Sequence, residues 1–177
     1  IFDEIDMSEP LNKLTNLISF YPFAEGTPGN RVFFIFAEGS QGKARIQLEK
    51  EQLIQLSLII QELIADNNDL DIPSTTKDLN YDEKINLNIQ LMSLEVKKDI
   101  MPGLYLFDIF DSNSKKPPII QIYVSAEKIK LFAADAIKVC ASGRPLCPLC
   151  GEPINPEGHT CPRTNGHIHK NDLEFEE

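Results

Sequence analysis

Tryptophan is absent, and histidine nearly so: 177 residues hold three histidines, the first of them His159. Chemistry that needs an imidazole in the body of the chain is thereby excluded. A Ser-His-Asp triad or a His-Glu-x-x-His peptidase helix has no histidine to use outside the C-terminal region. A zinc deaminase needs His-x-Glu ahead of its Pro-Cys-x-x-Cys, and nothing before His159 supplies it. Positive charge is also short, with 17 Lys and Arg against 27 Asp and Glu, a net of −10. A surface of that sign repels phosphate polymers and anionic headgroups. Long apolar runs are missing too. The richest, Leu56 to Ile60, is broken by Ser57 and followed by Gln61 and Glu62, far short of the ~20 residues of a membrane helix. No Gly-x-x-x-x-Gly-Lys-Ser/Thr phosphate loop occurs, and Gly39-Ser-Gln-Gly42 reads as a hairpin turn.

What remains is the composition of a folded domain. Hydrophobic residues make up 42%, and the nine glycines bring the apolar share to about 47%, inside the globular range. Residues 44–64 and 119–140 follow one plan, a strand running into a helix. At a shift of 76 residues Ile46 lies over Ile122, Leu53 over Ile129 and Leu56 over Phe132. Ahead of the first junction, residues 18–23 and 31–38 flank Gly26-Thr-Pro-Gly-Asn30, a hairpin pattern. Ahead of the second, Ile85, Leu87, Ile89 and Leu91 alternate with polar residues, the period of a half-buried strand, and residues 104–110 read as a central strand. The order expected is therefore βββα, twice. Leu53, Leu56, Ile60 and Leu63 form the buried stripe of the first helix, and Ile129, Phe132, Ala136 and Val139 that of the second, which Ser125 caps. The expected class is α+β, antiparallel sheet covered by two helices. Residues 1–15 are read as a leader or peripheral segment and 16–142 as the α+β domain, with halves 16–66 and 83–142 joined by a linker, 67–82. Residues 143–169 are read as a zinc knuckle and 170–177 as an acidic tail.

Three of the four cysteines and all three histidines crowd between Cys147 and His169. Cys147 and Cys150, two residues apart and followed by Gly151, have the spacing that lets two thiolates reach one ion. His159 and Cys161, at i and i+2, share a side of an extended segment. Together they read Cys-x2-Cys-x8-His-x-Cys, the donor set of tetrahedral zinc. His167 or His169 could stand in for His159, and Cys140 is a weaker substitute, better read as a buried thiol on the second helix. A thioredoxin-type pair is disfavoured, because Gly151 and nearby prolines oppose a helix after Cys147. Four protein ligands close the coordination sphere, so the expected Zn2+ is structural.

At GRPLCPLCGEPINPEGHTCPRTNG, residues 143–166, the chain resembles an uncharacterised bacterial family, a domain of unknown function whose members carry GRPxCPLCGxPxxPEGHxCPRxNG. The likeness extends more weakly to residues 26–31, to residues 48–52 and to the second strand–helix junction. It implies Cys147, Cys150, His159 and Cys161 as the ligand set. The family usually has Tyr where this chain has His167, which lowers His167 as a ligand. Members often occur with a phosphatase-like and a kinase-like protein, which implies an association and carries no activity over.

These readings lead to a cytoplasmic, non-catalytic binding or adaptor protein with a protein partner and no membrane. One rival is an enzyme acting on a phosphate-containing or nucleotide substrate in a cleft between the halves, with acids such as Asp108 and Asp111 as acid and base. More simply, those two end a strand into solvent. Another rival is nucleic-acid binding by the knuckle. Lys138, Arg144, Arg163 and Lys170 against Glu152 and Glu157 leave only 4 − 2 = +2 there, little counterion release to drive it.

Overall fold

The structure, a computed structural model, describes residues 12–65, 84–98, 101, 103–112, 117–143, 146–154, 158–163 and 166–168. The expected linker 67–82, the tail 170–177 and residues 1–11 of the expected leader lie outside these.

Alternation of side chains builds the first meander, with Phe33, Ile35, Ala44 and Ile46 buried on the inner face and mixed polar and aromatic side chains on the other. Strands β2 (Ser19–Thr27), β3 (Asn30–Gly39) and β4 (Gly42–Leu48) are antiparallel, and the first hairpin closes at Thr27 opposite Asn30, leaving Pro28 and Gly29 as the turn. Helix α1 (Lys50–Ala65) follows, entered where the Glu49 N–H donates to Oε1 of Gln52 at 2.8 Å. The second unit repeats the plan with β6 (Ser93–Lys98), β7 (Leu104–Phe110), β8 (Ile120–Ser125) and helix α2 (Ala126–Ala141). Ser125 caps α2, its Oγ accepting the Lys128 N–H at 3.4 Å.

The expected order βββα is corrected to ββββα, and each unit's first strand is traded. Strand β5 (Ile85–Gln90), read as the opening strand of the second half, instead pairs parallel with β4, completing the order β2-β3-β4-β5. Strand β1 (Lys13–Leu14) pairs parallel with β8, giving β1-β8-β7-β6. Alternation marked residues 85–90 as a strand with one wet face, but a strand's own pattern does not name its neighbour. The true first strand of the second meander, β6, was missed because SLEVKK is a charged edge with little burial. Residues 12–15, grouped above with the leader, sit in this sheet, and Leu14 is fully buried.

The helices bear out the repeat, since 126 − 50 and 141 − 65 are both 76. They pack on each other through equivalent positions: Ser57, buried, donates its hydroxyl at 2.8 Å to the carbonyl of Ala133, which lies 76 residues on. Leu53, Leu56 and Ile60 of α1 and Ile129, Phe132 and Ala136 of α2 are buried, with Leu63 and Val139 packed at the margin. One core joins the inner faces of both sheets and both helices. At its centre Phe132 stacks on Phe20 of β2, centroids 4.7 Å apart, and Phe20 meets Phe107 of β7 edge-on at 5.3 Å.

The β3–β4 turn ties down both traded strands. Buried Gln41 accepts the Thr15 N–H through Oε1 at 2.9 Å, donates through Nε2 to Thr15 Oγ1 at 2.6 Å, and takes the Ile85 N–H on its carbonyl at 2.7 Å. Gly42, at φ +138°, lets the Ile85 backbone approach so closely that a Cβ would collide with the Ile85 carbonyl oxygen. Phe132→Ala is expected to lower the unfolding free energy by about 3–5 kcal/mol. Gln41→Ala, which leaves the carbonyl bond to Ile85 in place but takes both side-chain partners from Thr15 beside β1, costs about 1–3 kcal/mol. Urea denaturation checks the ranking, and a Gln41→Ala protein as stable as the parent would refute the role given to this turn.

Candidate metal centre

Beyond α2 the chain makes two small β units. In the first, Leu146 and Pro153 form an antiparallel bridge, the Cys147 N–H donates to the Glu152 carbonyl at 2.8 Å, and the Gly151 N–H donates to the Cys147 carbonyl at 2.8 Å. Gly151 adopts φ +76°, a left-handed conformation suited to glycine that reverses the chain directly after Cys150. In the second, β9 (His159–Cys161) pairs with β10 (Gly166–Ile168), and strand alternation puts His159 and Cys161 on one face with Thr160 on the other.

The two units bring four donors together. Cys147 Sγ lies 3.9 Å from Cys161 Sγ, Cys150 Sγ lies 3.8 Å from His159 Nε2, and all four ligand atoms fall within 4.8 Å of one another. A disulfide would hold its sulfurs at about 2.05 Å, and all four cysteines of the chain are free thiols. A tetrahedron with metal–sulfur distances of about 2.3 Å has sulfur–sulfur edges of about 3.8 Å, which the first pair matches. Cys147, Cys150, His159 and Cys161 are thus positioned to bind a metal ion. Cys147 and Cys161 are buried and pack with Ile154 in a small core of their own, while Cys150 and His159 are half-buried. Burial first, and then the thiols of Cys147 and Cys161, push the Cys150 thiol above its ordinary value, with the Glu152 backbone opposing. So many sulfurs this close ionise together only when a cation compensates them, so metal uptake releases protons and weakens as pH falls.

One of the alternatives falls elsewhere. Cys140 is outside the cluster, buried at the end of α2 with Sγ 4.0 Å from the Lys50 carbonyl, and burial raises its thiol as well. His167 sits in β10 opposite Thr160, and His169 lies outside the described residues. Asp108 does not end a strand into solvent. It is 3% exposed in mid-β7, 2.6 Å from Lys97 Nζ, and accepts from Gln121 Nε2 at 2.7 Å. The ion pair lifts the Lys97 ammonium above its usual value, chiefly through the hydrogen bond to Asp108. A carboxylate held this way is a structural tie across three strands, whereas Asp111 is exposed. A cavity of about 480 Å3 lies between the first sheet, the ends of both helices and the knuckle. Arg31, Lys50, Glu49 and Glu51 line it, and Cys140 and Leu146 reach it. Sequence reasoning missed it, since its walls come from distant parts of the chain.

Fold and cluster together define an α+β protein in which three cysteines and one histidine are positioned to bind a metal ion. Residues 75–161 match the model of a family described as Protein of unknown function (DUF3090), so the likeness read from the sequence holds over a stretch that ends on the last of the four ligands. Neither a curated protein nor a solved structure matches the chain. Among the described residues no helix is long and apolar enough to cross a membrane.

Cys161→Ser is expected to reduce bound metal from about one equivalent per chain to a trace, since three donors lose the closed sphere. Cys140→Ser is expected to leave it unchanged. Elemental analysis of the purified variants decides; equal loss in both would remove Cys140 from the bystanders.

Proposed function

We infer that the ion is zinc, that it is structural, and that the protein is a non-catalytic binding or adaptor module of the cytoplasm. The observation that carries this is the closeness of four protein donors, three sulfurs and one imidazole nitrogen within 4.8 Å. Such soft and borderline donors select zinc over the hard cations, and four of them leave no position for a reacting water. The reducing cytoplasm keeps the thiols available. Two short strands and a buried trio of Cys147, Ile154 and Cys161 are too little core to fold alone, so zinc binding supplies the folding energy of the knuckle. Its exposed Leu146 and Leu149 present an apolar tip suited to a protein partner.

The enzyme reading would place substrate in the 480 Å3 cavity. Two acids there, Glu49 and Glu51, face two bases, Arg31 and Lys50, which gives phosphate no net attraction.

Removing the metal with a chelator is expected to collapse amide protection in residues 146–168 while the strands and helices of residues 13–141 keep theirs. Hydrogen exchange on the full chain measures this. Unchanged protection in the knuckle after metal removal would defeat the structural role, and loss of a hydrolytic or transfer activity with the metal would defeat the non-catalytic one.

A further inference from the structure

The first sheet buries one face and leaves the other to solvent, and that outer face is sorted by chemistry. In register across β2, β3, β4 and β5 stand Tyr21, Phe36, Arg45 and Asn88 in one row, and Phe23, Phe34, Gln47 and Gln90 in the next. The two strands on one side carry aromatic rings, and the two on the other carry three amides and Arg45. Tyr21 lies 5.3 Å from Phe36 and 6.0 Å from Phe23, centroid to centroid, and Phe23 stacks on Phe34 at 5.0 Å. Tyr21 is 44% exposed. Between the two zones Arg45 lies over Phe34, its guanidinium carbon 3.9 Å from the centroid. Beside it a groove of about 310 Å3 is lined by Phe34, Arg45, Gln47, Asn88 and Gln90.

Charge and area decide what fits. The acids on the face are matched by bases: Glu25 pairs with Arg45 at 2.7 Å, and Glu38 stands opposite Lys43. A face without net charge on a chain of −10 does not collect a polyanion. Four strands about 4.8 Å apart and three outward rows about 6.8 Å apart cover on the order of 400 Å2. That is about half of what each partner contributes to a stable protein interface, so a second copy is poorly served. A neutral ligand with apolar and hydroxylated sides fits better. A sugar ring can lay its C–H face on the negative face of the aromatic rings. Its hydroxyls, each donor and acceptor, then meet side-chain amides that are both.

We propose that the outer face of β2–β5 is a binding site for a neutral carbohydrate, with Tyr21 and Phe36 as the stacking platform, Phe23 held beneath Arg45 beside them, and Gln47, Asn88 and Gln90 as hydroxyl partners. It stands independently of the zinc reading, since it uses none of the four clustered donors.

The test is affinity electrophoresis of the full-length protein in gels cast with neutral α- and β-linked glucans, with poly(U) and heparin as anionic comparisons. Retardation by at least one neutral glucan is expected, weakened about tenfold or more in Tyr21→Ala and in Asn88→Ala, both exposed positions whose circular dichroism should match the parent. Four results would overturn the proposal: no retardation by any neutral glucan, retardation indifferent to both substitutions, retardation by the anionic polymers alone, or a concentration-dependent dimer, seen by sedimentation, that Tyr21→Ala abolishes.

Discussion

Each half of this protein completes its sheet with a strand borrowed from the other. Strand β5 lies parallel to β4, and β1 lies parallel to β8, so neither ββββα unit keeps its own first strand. The exchange makes the halves one cooperative body, because unpairing either strand exposes ladder hydrogen bonds and part of the common core. Everything else is arranged around it. Gln41 fastens both borrowed strands at one turn, Gly42 lets β5 come close, and the two helices meet where Ser57 bonds the carbonyl of its counterpart, Ala133.

The C-terminal knuckle is built on the opposite principle. Its few buried side chains cannot fold a segment against the loss of chain entropy, and under the function proposed above four donors converging on one cation supply its order. The knuckle adjoins the end of α2 and the cavity beside it, where Leu146 and Pro153 meet Arg31 and Cys140. Under that proposal a rigid core and a metal-dependent flap share a boundary.

Several features were legible before any coordinates. The 76-residue shift, the two helix stripes, the Ser125 cap and the Gly39–Gly42 turn are local or periodic, and the structure keeps each of them. The cluster was legible for a different reason: its two pairs are each set by short spacing, Cys147 with Cys150 and His159 with Cys161, and only their meeting is tertiary. Two readings were reversed. Asp108 looked like a strand end but lies buried beside Lys97 and Gln121, whose positions are 11 and 13 residues away along other strands. Leu14 looked peripheral because two residues of strand are too few for any period to show.

The chain alone therefore determined both helices and every long strand but β6, the inward stripe of each helix, and which four side chains suit one ion, because these depend on neighbours within a few positions. Which sheet receives β1 and β5, and which residues share the outer aromatic face or the walls of the cavity, was decided only by tertiary structure. Strand pairing is a backbone interaction, open to any extended segment, so partners are chosen by how all buried faces can be covered at once.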